Sequence, residues 1–134
     1  MTLQGMRDSL VAELSMNWAH AEAPIFYENT TEIDLAALGD YFMHCQIEFD
    51  GSVQADISAT PFDRTHGELV LTVFGRVTLG TRQVLVYLEE LKSLFRFKTL
   101  SGVHMQAASP GQSVSQDGWF SMELRTPFFA DSNT

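Results

Sequence analysis

Four histidines and one cysteine are the residues of this 134-residue chain best suited to acid–base, metal or nucleophilic chemistry. His20, His44, His66 and His104 are scattered, and none pairs with another His, a Cys or an acid at a spacing typical of zinc sites. His44 and Cys45 are adjacent in an alternating stretch, so their side chains point to opposite faces and cannot act as a dyad. Cys45 falls on the apolar side of that alternation and reads as a small buried residue. Asp63 and His66 share a stretch with Arg64 and Thr65 and could hydrogen-bond one another. With no nucleophile placed beside them, that contact reads as loop-structuring rather than general base catalysis. The run Ser109-Pro110-Gly111-Gln112-Ser113 has neither the glycine spacing nor the Lys of a phosphate loop, and no G-x-S-x-G elbow exists. Glu89 and Glu90 are consecutive on a helical stretch and diverge. The expectation is a protein that is not an enzyme, with no catalytic, cofactor-binding or metal residues.

The elements that would position these groups centre on residues 67–97. Leu69 to Phe74 are apolar or β-branched on both alternating faces, which suits a strand covered on both sides. After Gly80 the period changes from two to about 3.6. Val84, Leu88, Leu91 and Phe95 form one helical stripe, widened by Leu85, with Arg82, Glu89, Ser93 and Arg96 opposite. Arg96 and Lys98 sit where cations complement a helix C-terminus.

Around this unit, Leu3, Met6, Leu10, Leu14 and Trp18 predict an N-terminal helix over 3–18, stopped before Pro24. Ile25 to Tyr27 predicts a short strand, and residues 28–39 a polar connection. Tyr41, Met43, Cys45, Ile47 and Phe49 alternate with Phe42, His44, Gln46 and Glu48. Asp50-Gly51-Ser52 then signals a turn into a second alternation from Val53 to Ile57, so a hairpin is expected. Residues 58–67 read as a loop, Val103 to Ala107 as a strand, and 108–118 as a flexible loop closed by Asp117-Gly118. Phe120, Met122 and Leu124 give a last strand ending before Pro127. Five or six mostly hairpin-linked strands with two helices make a single α+β domain over residues 1–134. Its sheet is mainly antiparallel, with both helices on one face.

Composition narrows the partners. Apolar content is 45%, yet no run approaches the roughly 20 residues of a membrane span, and the start lacks the pattern of a signal peptide. A lone cysteine agrees with a reducing compartment. Net charge is −9. Residues 1–63 hold eleven acids against Arg7 alone, net −10, whereas residues 64–134 hold seven Lys/Arg against six acids, net +1. A chain this acidic is not expected to bind nucleic acid specifically. Its lopsided charge fits an ordinary acidic solvated surface first, and alternatively a protein with two unlike faces that meets copies of itself or a partner in a fixed orientation. The apolar stripes leave none spare for a permanent interface, so the isolated chain is expected to be a monomer.

The order of elements becomes familiar in the last third of the chain. The N-terminal helix leads to Pro24-Ile25-Phe26-Tyr27-Glu28-Asn29 and a two-stranded segment, then to Gly67-Glu68-Leu69-Val70-Leu71-Thr72-Val73-Phe74 and a helix ending Leu94-Phe95-Arg96-Phe97. The chain closes on the run Asp117-Gly118-Trp119-Phe120 through Pro127-Phe128-Phe129. This order resembles the tail-terminator-like (neck and tail completion) proteins of long-tailed phages and prophages, over almost the whole chain. The resemblance implies a small α+β structural protein of the virion that assembles as a hexameric ring on the head-proximal end of the tail tube. The ring stops tube growth and forms the head–tail joining surface. Its partners would be further copies of itself, the major tail tube protein and the head-completion connector, first in the host cytoplasm and then in the virion. No cofactor and no catalytic residue is implied. Contacts are expected on the two long loop regions, 50–66 and 106–118, at Asp50, Gln54, Asp56, Asp63, Arg64, Gln112, Gln116 and Asp117.

A ring of identical subunits needs two unlike patches on each copy, and an acidic lumen would repel DNA in transit. Two other classes are open. One is a small acidic inhibitor or immunity-type protein steered onto a basic partner. The other is a ligand-binding or enzymatic domain with a pocket near His44 or His66.

Overall fold

The computed structural model describes residues 2–27, 39–54 and 63–132. Helix α1 (Leu3–Asn17) is capped by Thr2, whose Oγ1 accepts a hydrogen bond from Gly5 N at 2.9 Å. It ends at Trp18, where the ring nitrogen donates to Ala23 O at 2.9 Å and turns the chain. Strand β1 (Ile25–Tyr27) pairs in parallel with β2 (Tyr41–Gln54). Strand β3 (Asp63–Arg76) passes through a short 3-10 turn at Val77–Leu79 into helix α2 (Arg82–Phe95). The chain closes with β4 (Thr99–Leu100), β5 (Val103–Met105), β6 (Ser109–Gln116) and β7 (Trp119–Ser132).

These strands make one curled, mixed sheet in the order β1-β2-β3-β7-β5-β4, with β6 pairing a separate stretch of β7. All pairs except β1–β2 are antiparallel. The domain is α+β, as the patterning predicts.

Alternation divides the sheet into two unlike faces. On one face Met43, Cys45, Leu69, Leu71, Val73, Leu124, Phe128 and Ala130 join Met6, Leu10 and Leu14 of α1 and Val84, Tyr87, Leu88, Leu91 and Phe95 of α2 in a single core. Both helices lie on this face. On the other face stand Phe42, His44, Gln46 and Glu48 of β2, Glu68, Val70, Thr72 and Phe74 of β3, and Trp119, Ser121, Glu123 and Arg125 of β7.

Several expectations need correction. Asp50-Gly51-Ser52 is not a turn: β2 runs straight through it to Gln54, with an irregularity between Phe49 and Gly51. Gly51 takes φ +145°, so the extra residue is absorbed as a bulge. Residues 63–66, read as loop, are the first turn-free stretch of β3, where Asp63 and His66 project to opposite faces of a strand. They therefore do not form the expected loop contact. Residues 108–118 are not a loop but strand β6 and a two-residue turn at Asp117-Gly118, both with positive φ, the geometry of a type I′ hairpin.

The last strand does not stop before Pro127. Gln106 N donates to Pro127 O at 2.9 Å, and a strand residue's nitrogen faces the same side as its carbonyl. The proline nitrogen thus faces the junction between β5 and β6, where no ladder bond to β3 is lost. Leu85 does not widen the α2 stripe: it is 44% exposed, and Tyr87 takes the buried place. The expected connection at 28–39 falls, save Gly39, outside the described residues, as does Asp56.

Candidate functional site

Both helices pack on the first face, and the second face is organised in three zones along β3 and β7. At the Arg76 end is an aromatic cluster. Phe42 and Phe74 stack with centroids 4.3 Å apart, Trp119 meets Phe42 edge-on at 5.0 Å, and Phe26 does so at 5.9 Å. The Arg76 guanidinium lies 4.4 Å above the Trp119 ring. These neighbours leave Phe42 only 4% exposed although no helix packs on it. Beside the cluster a cavity of about 220 Å³ opens between Phe42, Phe74, Trp119, Ser121, Val114, Gln116 and Asp117.

The middle zone is a charge network. Arg125 donates to Glu48 at 3.1 Å and to Glu68 at 3.5 Å, and its Nε reaches Glu123 at 3.4 Å. The bond to Glu48 and the neighbouring carboxylates raise the arginine's pKa, although partial burial opposes this. One cation thus holds three acids drawn from three adjacent strands. Glu48 comes from the acidic half of the sequence, and Glu68, Glu123 and Arg125 come from the other half. The linear charge asymmetry is therefore interleaved across the sheet, because β3 is threaded between β2 and β7.

At the far end, Arg64 makes a two-point ion pair with Asp131, at 2.8 and 3.2 Å, while its guanidinium lies 4.6 Å over the Phe129 ring. The hydrogen bond from Arg64 holds the Asp131 carboxyl below the usual range. His104 stacks on the other side of this corner, 4.8 Å from Phe129.

A second polar group ties the α1 exit to α2. His20 Nε2 lies 2.6 Å from Glu90 and Nδ1 3.1 Å from Glu22, while Tyr87 donates to Glu22 at 2.9 Å. Burial would lower the His20 pKa, but the hydrogen bonds and charges of Glu90 and Glu22 outweigh it and raise it. Burial and the bond to Glu22 push Tyr87 up to about 12. Hydroxyl and imidazole here brace two elements, and no nucleophile adjoins them.

The residues expected to make contacts are split between the two ends of the sheet. Gln54 and Asp63 are paired at one end, with Asp50 and Arg64 close by. Gln116 and Asp117 lie at the opposite end beside Trp119, and Gln112 lies between, its N–H donating to Glu123 at 3.2 Å. Arg64 is committed to Asp131, so it serves the fold before any partner. Sequence reading missed the aromatic cluster because its members come from four strands, although the period-two alternation already placed Phe42 and Phe74 on their respective strand faces. Cys45 is buried, and His44 lies half-buried on the face opposite to it. Among the described residues no group of three His, Cys, Asp or Glu could hold a metal ion. No described helix is long and apolar enough to cross a membrane.

Apolar surface is left over, contrary to the expectation that the stripes use all of it. Val77, Leu79, Leu85 and Val86 are each 44–48% exposed around the start of α2. Phe97 is 64% exposed at the other end of that helix.

No protein-family model and no curated protein matches the chain. A solved structure whose name carries no functional description is similar over 97% of this chain and 96% of its own, with a TM-score of 0.71 at 17% identity. At that identity the likeness speaks for the fold.

Proposed function

We propose that this protein is a structural subunit of a long-tailed phage or prophage that caps the head-proximal end of the tail tube as a ring. The observation that carries this reading is the division of surfaces. Both helices serve one face of the sheet, while the other face carries no helix of the core and all eight residues of β6 are exposed. A face with an aromatic end, a charged middle and an Arg–Asp corner offers unlike patches to unlike neighbours, which a heterologous ring contact and two further partners require. The helix α1, the short β1, the β3–α2 unit and a final strand from Trp119 are common to the resemblance and the fold, whereas the expected turn after Phe49 is part of β2 and the expected loop before Trp119 is β6.

The test is deletion of the gene in a producing strain. Tails of uncontrolled length that fail to join heads are expected, as seen by electron microscopy. Tails of normal length joined to heads after a clean deletion would end this reading.

A further inference from the structure

Phe97 is an apolar side chain held in water by a strained backbone. It follows Arg96, the residue that ends α2, and has φ +57°. That left-handed position just past a helix C-terminus is ordinarily taken by glycine, because a β-carbon there crowds the following carbonyl oxygen. The ring gains little in return within its own chain: it is 64% exposed, with the Arg96 guanidinium 5.0 Å from its centroid. Arg96 and Lys98 flank it and Lys92 is one turn back, so the knob sits on the most basic corner of an acidic protein.

The complementary feature is the cavity beside Trp119. It is walled by Phe42, Phe74, Trp119 and Val114, and its rim carries the exposed Asp117, with exposed Asp40 on the same end of the sheet. Knob and cavity cannot meet within one chain. Phe97 adjoins β4, which borders β5 and hence Ala130 of β7, whereas the cavity adjoins Trp119 at the other end of β7. Eleven strand residues separate those two points, about 36 Å along the strand.

We infer that Phe97 of one copy inserts into the Phe42–Phe74–Trp119 cavity of the next, with Arg96 and Lys98 against Asp117 and Asp40. The occupant is a second copy of this chain. Charge complementarity between the two ends supports it: Lys92, Arg96 and Lys98 cluster at the knob, whereas Asp117 and Asp40 stand at the hole, where Arg76 is held over the Trp119 ring. A knob at one end and a hole at the other make a head-to-tail contact, which propagates until it closes as a ring. The inference rests on the ring proposal and names the contact by which the ring closes. One aromatic side chain is a small interface, so it is weak at low concentration and cooperative once a ring closes.

Phe97→Gly tests it, because glycine suits the backbone there. The variant is expected to melt no lower than the parent while losing self-association at least about tenfold by sedimentation at high concentration. Position is read by mixing a chain carrying Thr99→Cys with one carrying Gln116→Cys under mild oxidation. The 99–116 mixed disulfide is expected to exceed both same-site dimers, and adding Phe97→Gly to the first chain should suppress it. Same-site dimers in excess, no mixed disulfide at high concentration, or unchanged association of Phe97→Gly would overturn the contact. Properly capped tails in a strain carrying only Phe97→Gly would also overturn it, while leaving the terminator reading standing. The mixed disulfide together with normal tails after gene deletion would do the reverse.

Discussion

The two faces of one sheet do different work in this protein. The helix-covered face is apolar, continuous and contributed by every long strand, so its residues are fixed by mutual packing. The other face is assembled from separate pieces: stacked rings at one end, one arginine among three carboxylates in the middle, and an ion pair over an aromatic ring at the other. Packing makes the first face intolerant of change. The second tolerates change where its groups meet water, and that tolerance leaves it free to meet partners. Phe42, Val70, Trp119 and Ser121 are exceptions, buried on this face, and Phe42 and Trp119 are in edge-on contact.

The difference is broken or sharpened by substitution. Leu71, fully buried between β2 and β7, should lose about 2–5 kcal/mol on change to Ala, whereas Gln46→Ala on the opposite face should stay within about 0.5 kcal/mol. Chemical denaturation measures both, and equal costs would erase the distinction. Gly67→Ala comes next. Its added carbon would lie 2.5 Å from Glu48 O and 2.6 Å from the Phe128 ring, so overpacking of about 1–3 kcal/mol is expected from the same titration.

A substitution in the opposite direction is available at Thr126. This residue is fully buried on the helix-covered face and its hydroxyl has no hydrogen-bond partner among the described residues. Thr126→Val should raise stability by about 1 kcal/mol, read as a higher denaturation midpoint at unchanged slope.

The smallest effect concerns the His20 clasp. Its pKa is raised in the folded state, so its contribution is complete below the ordinary 6.5 and fades as pH rises through the folded value. The Glu22 pKa is lowered, first by a backbone hydrogen bond and then by Tyr87 and His20, so its share is present above the ordinary 4.5 and lost in acid. His20→Gln should therefore cost most between those limits, by under about 1 kcal/mol, and less in alkaline solution, where only the ring contacts with Trp18 and Tyr87 are lost. Thermal melts at pH 6 and pH 9 measure the difference, and an equal cost at both would show that the imidazole charge is irrelevant.

Much of the covered face was legible in the sequence, because burial writes a period. Met6, Leu10 and Leu14 mark α1, Val84, Leu88, Leu91 and Phe95 mark α2, and Met43, Cys45 and Ile47 mark β2. Strand β6 was not legible. All eight of its residues are exposed and polar or small apart from Val114, so it forms by pairing with β7 rather than by burying a face of its own. Its turn was legible, since Asp117-Gly118 suits positive φ at both positions. The passage of β2 through Asp50-Gly51-Ser52 was hidden for the opposite reason: the residues of a turn also make a bulge. The contact residues were placed by loop length. They fall at two ends of the sheet because those loops are mostly strand, and the cavity beside Trp119 required knowing which strands are neighbours.

The most direct measurement adds the purified protein to tail tube protein while tubes are growing and images the products by electron microscopy. Tubes arrested at shorter, concentration-dependent lengths, each with a ring of density at one end only, are the expected result. Tubes of unchanged length distribution with bare ends would contradict the account.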